Sequence, residues 1–316
     1  MSVTRDRKNK TLHLGQEQYI KDILIKFNMQ DCKPSSTPME SKDIAGNSDP
    51  LPDSKPYKSL IGKLLYASSC TRPDITMAVS HLSRFLAKPQ VKHWDQAKRV
   101  LRYLKGTSNL GLTYGKSRDI KPIFFQDASY ADEDGALSRT GFVALLGGAA
   151  VNWGSQRQQT VALSTVEAEY MALTAATQEA IFERQLLKHL GYEQAEPSAM
   201  YEDNQGCIAL SSNMMTTKRS KHINVKYHFC REKIINGESK VLYCPTNQML
   251  ADVLGPLFTG HLCTPYKAVP FIRTALTGCH VGAQYGVQAA HYLRDTSSVH
   301  PALPASLSRS QGLMPG

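Results

Sequence analysis

Residues 121–256 carry a succession of local patterns that restricts the fold more than any other part of the sequence. Five short apolar runs there have the length and composition of strands, and they lie at residues 123–127, 140–146, 149–155, 199–203 and 239–244. The third and fourth runs are separated by a long helical pattern at 165–190. Strands mixed with helices in this order predict an α/β domain with one mixed sheet and helices packed on it.

Turn and cap residues fix the borders of these elements. Gly147 and Gly148 separate the second and third strands and predict a tight hairpin. Ser164 or Thr165 is placed to cap the long helix, and Gly191 to end it. We expect one face of this helix to be buried, formed by Ala168, Met171, Ala172, Ala175, Phe182 and Leu186.

The first 120 residues have a different, mostly helical character. Residues 2–14 predict two short strands around a turn, and helical patterns follow at 16–28, 56–69, 73–87 and 91–105. Residues 31–56 are rich in Pro, Ser and Asp, which predicts a linker.

The helix predicted at 91–105 has an apolar face backed by four cations. The cations are Lys98, Arg99, Arg102 and Lys105. Two interpretations stay open: the helix docks on its own domain and presents these charges to phosphates, or it is an ordinary amphipathic surface helix.

Charge and cysteine content narrow the class of protein. The net charge is +10, and residues 1–120 carry 21 Lys/Arg against 11 Asp/Glu. A basic first part favours a polyanionic partner, although a solvated basic surface also explains it.

The seven cysteines form no CxxC pair, which argues against zinc or a disulfide framework and favours a reducing compartment. No apolar run reaches the ~18 residues of a membrane span, and no signal-peptide core is present, so we expect neither an integral membrane nor a secreted protein.

Four acids stand where acids are unexpected. Asp127 and Asp203 end apolar strands, which places both at the edge of the sheet. Glu169 lies in the first turn of the long helix, and Asp252 lies in a final short helix at 246–254. Converging carboxylates repel one another unless cations neutralise them, and hard oxygen ligands favour Mg²⁺ or Mn²⁺. Two such ions can support phosphodiester hydrolysis.

Several blocks of sequence resemble the Pol polyprotein of copia-type LTR retrotransposons. Three blocks resemble the ribonuclease H domain of that family: Leu163-Ser-Thr-Val-Glu-Ala-Glu-Tyr170, Glu202-Asp-Asn-Gln205 and Leu250-Ala-Asp252. Upstream, Thr71-Arg-Pro-Asp-Ile75 and Val100-Leu-Arg-Tyr-Leu-Lys-Gly106 are similar to the thumb and connection that follow the polymerase palm. The resemblance implies a ribonuclease H-like mixed five-stranded sheet flanked by helices, preceded by a mostly helical thumb/connection arm.

The resemblance also implies a division of the chain and a site. Residues 1–56 would be the end of the palm with thumb and linker, 57–118 a helical connection, 119–258 the ribonuclease H-like domain and 259–316 an aberrant, disordered tail. The implied metal ligands and catalytic residues are Asp127, Glu169, Asp203 and Asp252, holding two Mg²⁺ ions or Mn²⁺ in their place. Glu167 competes with Glu169 for the helix position. The residues implied to contact the RNA–DNA hybrid are Asn204, Gln205, Lys218, Arg219, Lys221 and His222.

The implied activity is hydrolysis of the RNA strand of RNA–DNA hybrids. The implied location is a cytoplasmic virus-like particle or the nucleus, and the implied protein partners are other parts of a Pol polyprotein. The polymerase's Tyr-x-Asp-Asp turn does not occur in this chain, so we expect no primer extension. The family's Asp-Ala-Asp-Trp is Asp127-Ala-Ser129-Tyr130 here, and no histidine lies between Phe229 and Asp252 to act as a loop histidine. The lost palm, the altered Asp127 strand and the aberrant C-terminus favour the alternative, a catalytically inactive remnant that binds nucleic acid. The intact set of four acids favours the enzyme.

Overall fold

A computed structural model describes residues 1–39, 48–115, 120–133, 135–212, 224–254 and 273–274. The chain divides into a compact unit at Met1–Thr277 and a second unit at Gly278–Gly316, which lies outside the described residues. Within the described ranges, every helix is too short or too polar to span a lipid bilayer. The predicted tail at 259–316 lies outside the described residues except for two positions.

The larger sheet of the first unit has five strands. They are β4 (Ile123–Glu133), β5 (Leu137–Leu146), β6 (Ala149–Arg157), β7 (Ser198–Glu202) and β8 (Ser239–Tyr243). Their order across the sheet is β6-β5-β4-β7-β8; β4, β5 and β6 pair antiparallel, whereas β7 pairs parallel with β4 and with β8. The expected fold class, α/β with a mixed five-stranded sheet, is confirmed.

Three helices accompany this sheet. They are α5 (Thr165–His189), α6 (Gln205–Ser212) and α7 (Asn224–Ile235). Apolar side chains of α5, α6 and α7, such as Tyr170, Cys207 and Cys230, pack with Phe124 and Met200 of the sheet. Burial of these side chains stabilises the domain by roughly 25 cal/mol per Å² of apolar surface.

The turn and cap signals of this domain are confirmed. Gly147 and Gly148 have φ of 61° and 84°, the left-handed region that a tight β5–β6 hairpin requires. Ser164 is the N-cap of α5, and its side chain accepts a hydrogen bond from the Glu167 amide. Gly191, with φ of 84°, follows the end of α5.

The expected buried face of α5 is partly wrong. Ala168, Met171 and Ala172 are buried, but Phe182 and Leu186 are 58% and 46% exposed. The C-terminal half of the helix buries Ala180, Glu183 and Leu187 in their place. A long helix drifts around its axis relative to a fixed surface, so the stripe chosen at its start does not hold to its end.

Four helices form the predicted arm. They are α1 (Glu17–Lys26), α2 (Lys55–Cys70), α3 (Thr76–Ser83) and α4 (Val91–Gly106), with a 3₁₀ turn at Pro73–Ile75. Their buried residues form one cluster that includes Ile20, Leu64, Leu82 and Val100. The pattern at 73–87 predicted one helix, but the structure contains this turn followed by the shorter α3.

A buried ion pair lies inside the arm. Arg72 contacts Asp74 at 2.7 Å, with both side chains almost wholly buried. Arg72 also donates to the carbonyl and hydroxyl of Thr107, and the Tyr103 hydroxyl donates to Asp74 at 2.7 Å. These bonds satisfy both charges, which is the condition for burying such a pair without a large penalty.

Residues 32–37, part of the predicted linker at 31–56, are hydrogen-bonded to α4, so this part is not a free linker. Arg102 Nε donates to the Lys33 carbonyl at 2.7 Å, Lys105 Nζ to the Cys32 carbonyl at 2.6 Å, and Arg99 to the Thr37 hydroxyl at 3.0 Å. Lys98 pairs with Asp95 at 2.7 Å within α4, so all four α4 cations bind the chain's own backbone or side chains. The structure thus favours docking within the arm over direct presentation of these cations to phosphates.

A second, smaller sheet has the strand order β1-β2-β3-β9. Its strands are β1 (Ser2–Asp6), β2 (Thr11–Gly15), β3 (Leu110–Tyr114) and β9 (Arg273–Thr274). The sequence predicted β1 and β2 but not β3, although apolar and other residues alternate there. A Cβ on Gly111 would lie 2.2 Å from the Leu14 carbonyl, so glycine permits the close approach of β2 and β3.

A second apolar cluster connects the larger sheet to the smaller sheet. Leu112 of β3 lies in the same apolar cluster as Phe125, Val143 and Leu254. The arm contacts β6 directly, since Trp153 Nε1 donates to the Ser68 carbonyl at 3.0 Å.

Candidate metal centre

Asp127 and Asp203 are brought together by the register of two neighbouring parallel strands. Phe125 of β4 pairs with Tyr201 of β7. Asp127 and Asp203 each lie two residues further along the chain, so they are side by side. Asp203 follows the last residue of β7, as predicted. Asp127 does not end its strand, because β4 continues to Glu133, and β4 is the central strand rather than an edge. The parallel pairing stops before Asp127, and this leaves the carboxylate at the open end of the β4–β7 pair.

Glu169 reaches the same place from α5. It lies in the second turn of the helix, not the first, because α5 begins at Thr165. Its Oε2 accepts a hydrogen bond of 2.9 Å from the amide of Ala128, the residue after Asp127. Glu167, the competing acid, occupies the first turn, where its Oε2 accepts a bond of 2.9 Å from the Leu163 amide. Glu167 therefore closes the helix N-terminus, and Glu169 faces the sheet.

Asp127, Glu169 and Asp203 form one carboxylate trio. Each residue offers an oxygen that lies within 4.8 Å of the oxygens offered by the other two. Asp127 and Glu169 are buried, while Asp203 is half-buried. Three anions this close repel strongly in a partly buried site, and a divalent cation with hard oxygen preference would reverse that repulsion.

The crowding of these acids shifts the pKa of Glu169. Burial, followed by the charges of Asp127, Glu202 and Asp203, raises the pKa of Glu169 well above its ordinary value. The Ala128 amide opposes this shift by stabilising the charged form. The residues present therefore fit a divalent ion, because a bound cation would favour the charged form of Glu169 and offset the repulsion among the three carboxylates.

Glu202 is a fourth acid beside the trio that sequence reasoning missed. It is fully buried, and burial together with nearby Asp203 and Asp127 raises its pKa to about 8. It accepts hydrogen bonds from the Asn204 amide at 3.1 Å and from Gln126 Nε2 at 3.4 Å. Strand alternation gives a signal for its burial, because Glu202 lies on the same face of β7 as Met200.

Asp203 also has a partner from a distant part of the chain. The hydroxyl Oγ1 of Thr246 donates to Asp203 Oδ2 at 2.6 Å. Thr246 lies in a 3₁₀ turn, Thr246–Gln248, that follows β8. Nothing in the local sequence indicated this contact, because 43 residues separate the two positions.

Asp252 is buried but does not belong to the trio. It lies in a 3₁₀ turn, Leu250–Val253, that packs against β4 and β5, where the sequence predicted a continuous short helix at 246–254. The structure therefore brings together three of the four predicted metal ligands and places the fourth in a neighbouring turn.

The predicted substrate contacts divide into two groups. Asn204 caps α6, since its Oδ1 accepts from the Cys207 amide at 3.0 Å, and Gln205 is exposed beside it. Lys218, Arg219, Lys221 and His222 lie outside the described residues.

Two of three comparisons with known proteins found similar chains. The chain is 41% identical over 266 residues to the retrovirus-related Pol polyprotein from transposon TNT 1-94 of Nicotiana tabacum, covering 80% of this chain and 20% of that protein. It is 36% identical over 246 residues to the Pol polyprotein from transposon RE2 of Arabidopsis thaliana, covering 77% and 17%. A solved structure, LC11-RNase H1 in complex with RNA/DNA hybrid, aligns at 16% identity and a TM-score of 0.33, covering 42% of this chain and 93% of that one. No protein-family profile matches.

The fold and the site define a mixed five-stranded α/β domain with an acidic trio and an attached helical arm. Over 77–80% of its length the chain is homologous to a segment of copia-type, retrovirus-related transposon Pol polyproteins, at 36–41% identity. It spans about a fifth of the length of the curated relatives that it matches first.

Proposed function

We propose that this chain is a ribonuclease H that hydrolyses the RNA strand of RNA–DNA hybrids. The observation that carries the proposal is the carboxylate trio, whose oxygens lie within 4.8 Å of one another at the open end of two parallel strands. The match to a segment of transposon Pol polyproteins supports the same activity. Divalent ions bound there would supply an activated water and a counter-charge for the leaving 3′ oxygen.

In this proposal the chain's own residues hold and orient the reacting groups. Asp127, Glu169 and Asp203 would hold Mg²⁺ or Mn²⁺. The oxygen of water forms a bond to phosphorus as the bond to the 3′ oxygen breaks. The products are a 5′-phosphate and a 3′-hydroxyl, with a proton passing to the leaving oxygen. Asp252, in the neighbouring turn, is the fourth acid of the proposed site.

The proposed substrate follows from charge and shape. A net charge of +10 supports binding of a polyanion, with an affinity that falls as salt increases. Asn204 and Gln205 lie directly after Asp203 and are proposed to contact the hybrid. Contacts to RNA 2′-hydroxyls across the minor groove would select the RNA strand by shape rather than sequence. The proposed setting is a cytoplasmic virus-like particle or the nucleus.

The second candidate function is nucleic-acid binding without catalysis. Ser129 favours it, because this position carries an acid in the family resemblance, and here its Oγ accepts a hydrogen bond from the Arg139 amide at 3.1 Å inside the sheet. The trio itself favours the enzyme, since all three carboxylates are retained and converge.

Cleavage of labelled nucleic acids tests the proposal. The purified chain is incubated with Mg²⁺ and a hybrid labelled on its RNA strand, beside double-stranded RNA and DNA of the same sequence. We expect cleavage of the hybrid RNA alone, and loss of cleavage in Asp127→Asn. Asp31→Asn, an exposed acid on the arm, is the matched control and should cleave normally.

The two candidate functions give different results. A folded chain that binds hybrid and cleaves nothing in Mg²⁺ or Mn²⁺ supports the non-catalytic alternative. Equal cleavage by Asp127→Asn would place the reaction elsewhere in the molecule.

A further inference from the structure

The short connection between β8 and the Asp252 turn lies over the end of β7. The Cys244 amide donates to the Glu202 carbonyl at 2.8 Å, which extends the parallel pairing one residue beyond β8. Pro245, with φ of −60° and ψ of 140°, then redirects the chain into the turn that starts at Thr246. This path carries the Thr246 hydroxyl to the Asp203 carboxylate, at 2.6 Å.

The three carboxylates of the trio are held to different degrees. Asp127 lies within β4 and its backbone is fixed by pairing with Gly141. Glu169 extends from a helix and is anchored by the Ala128 amide. Asp203 follows the last residue of β7 and is half-exposed, so the regular pairing of the sheet does not orient it.

We propose that Thr246 is a positioning residue that fixes the Asp203 carboxylate for a divalent ion. The proposal rests on the metal site of the proposed function. A hydroxyl donor occupies one of the roughly four lone-pair sites of a carboxylate and leaves the others for an ion. The conformational freedom of Asp203 is then lost during folding rather than during ion binding, so the ion binds more tightly.

A role in its own turn does not account for the Thr246 hydroxyl. The turn at Thr246–Gln248 has no side-chain cap, and its N-cap is Pro245. The turn closes through backbone bonds, from the Gln248 amide to Pro245 and from the Met249 amide to Thr246. The hydroxyl is directed across to β7, where its partner is a proposed metal ligand.

Calorimetric titration with Mn²⁺ tests this role without depending on catalysis. Thr246→Val removes the hydroxyl and keeps the shape, whereas Thr246→Ser keeps the hydroxyl. Loss of such an outer partner typically costs 10- to 100-fold in metal affinity, so we expect the Kd for Mn²⁺ to rise about 10-fold in Thr246→Val. Thr246→Ser should bind within about threefold of the wild type, because the donor is retained. The matched control is Thr4→Val, on the exposed strand β1, which should leave the Kd unchanged.

Melting temperatures in EDTA separate positioning from stability. We expect Thr246→Val and the wild type to melt alike without an ion, because the turn does not use the hydroxyl. Three results would overturn the inference and leave the proposed function standing. They are equal Mn²⁺ affinity in Thr246→Val and wild type, a large loss of melting temperature of Thr246→Val in EDTA, and failure of Thr246→Ser to bind Mn²⁺ like the wild type. A wild type that binds no Mn²⁺ would overturn both.

Discussion

Ser155 donates its hydroxyl hydrogen to the Leu254 carbonyl at 2.6 Å, which ties strand β6 to the end of the turn that carries Asp252. The same hydroxyl oxygen accepts from Arg139 at 3.2 Å, and the Ser155 carbonyl accepts from the Ser80 hydroxyl of α3 at 2.8 Å. Arg139 also donates to Ser80 at 3.1 Å. The helical arm, the sheet and the Asp252 turn therefore share one buried polar cluster.

Ser155→Ala should destabilise the protein by about 1–3 kcal/mol, because it removes the donor to the Leu254 carbonyl and one acceptor for Arg139 in a buried place. Urea denaturation measures the change in the free energy of unfolding. Ser212→Ala removes a serine hydroxyl that is exposed at the end of α6 and should cost less than about 0.5 kcal/mol. Equal small losses in both variants would show that the cluster is not structurally important.

Glu183→Gln should stabilise the protein at neutral and alkaline pH. Burial, opposed by Asn152 and reinforced by Glu179, raises the pKa of Glu183 to about 7 in the folded state. The folded protein therefore holds this proton more strongly than the unfolded chain, whose ordinary value is 4.5, and stability falls as pH rises from 4.5 to about 7. Removing the ionisable group should recover up to about 3 kcal/mol at about pH 8 and nothing at about pH 4.

Urea denaturation at these two pH values checks the prediction for Glu183. Glu179→Gln is the control, because Glu179 is half-buried and accepts a bond of 2.8 Å from Asn152. It should give a smaller gain than Glu183→Gln. The explanation by burial is wrong if Glu183→Gln gives the same change in unfolding free energy at both pH values.

Glu169→Gln should raise the melting temperature of the ion-free protein at about pH 8, because it removes an anion from a site that disfavours one. The gain should vanish at about pH 4, where the folded protein keeps Glu169 protonated and the unfolded chain begins to protonate it. Glu167→Gln is the matched control on the same helix. It replaces a charge at the helix N-terminus and should lower stability by about 0.5 kcal/mol. Opposite signs for the two variants distinguish the site acid from the capping acid.

Mg²⁺ should raise the melting temperature more at about pH 8 than at about pH 5. The raised pKa of Glu169 means that the ion-free folded state loses stability as pH increases above the unfolded value of 4.5. A bound cation removes that loss, and at low pH protons compete with it for the carboxylates. A thermal scan with Mg²⁺ and with EDTA at each pH measures this difference. An Mg²⁺ effect that is equal at both pH values would contradict the trio as its source.

Much of the fold follows from local sequence patterns. The two glycines at 147–148, the cap at Ser164 and the periodic apolar residues of α4 each act within a few residues, so the elements that they specify were predicted correctly. The convergence of Asp127 and Asp203 was also accessible, because both follow runs of strand residues that pair in parallel.

Contacts between distant segments were not accessible in this way. The cations of α4 bind residues 32–37, and Thr246 binds Asp203, through partners that no periodicity indicates. Glu202 illustrates the same limit in part: strand alternation indicates its burial, but not its hydrogen bond with Gln126. Sequence reasoning identified the acids of the site but not the groups that hold them.

The rate of Mg²⁺-dependent hybrid cleavage by Asp203→Asn, relative to wild type, tests the central claim most directly. The change removes a proposed ligand charge with little change in volume, so the fold should persist, as circular dichroism can verify. Losing a direct ligand should cost more than the roughly 100-fold upper figure for losing an outer partner. We predict a folded variant that cleaves more than about 100-fold slower than wild type. A folded Asp203→Asn that cleaves at the wild-type rate would contradict the assignment of the trio as the catalytic metal centre.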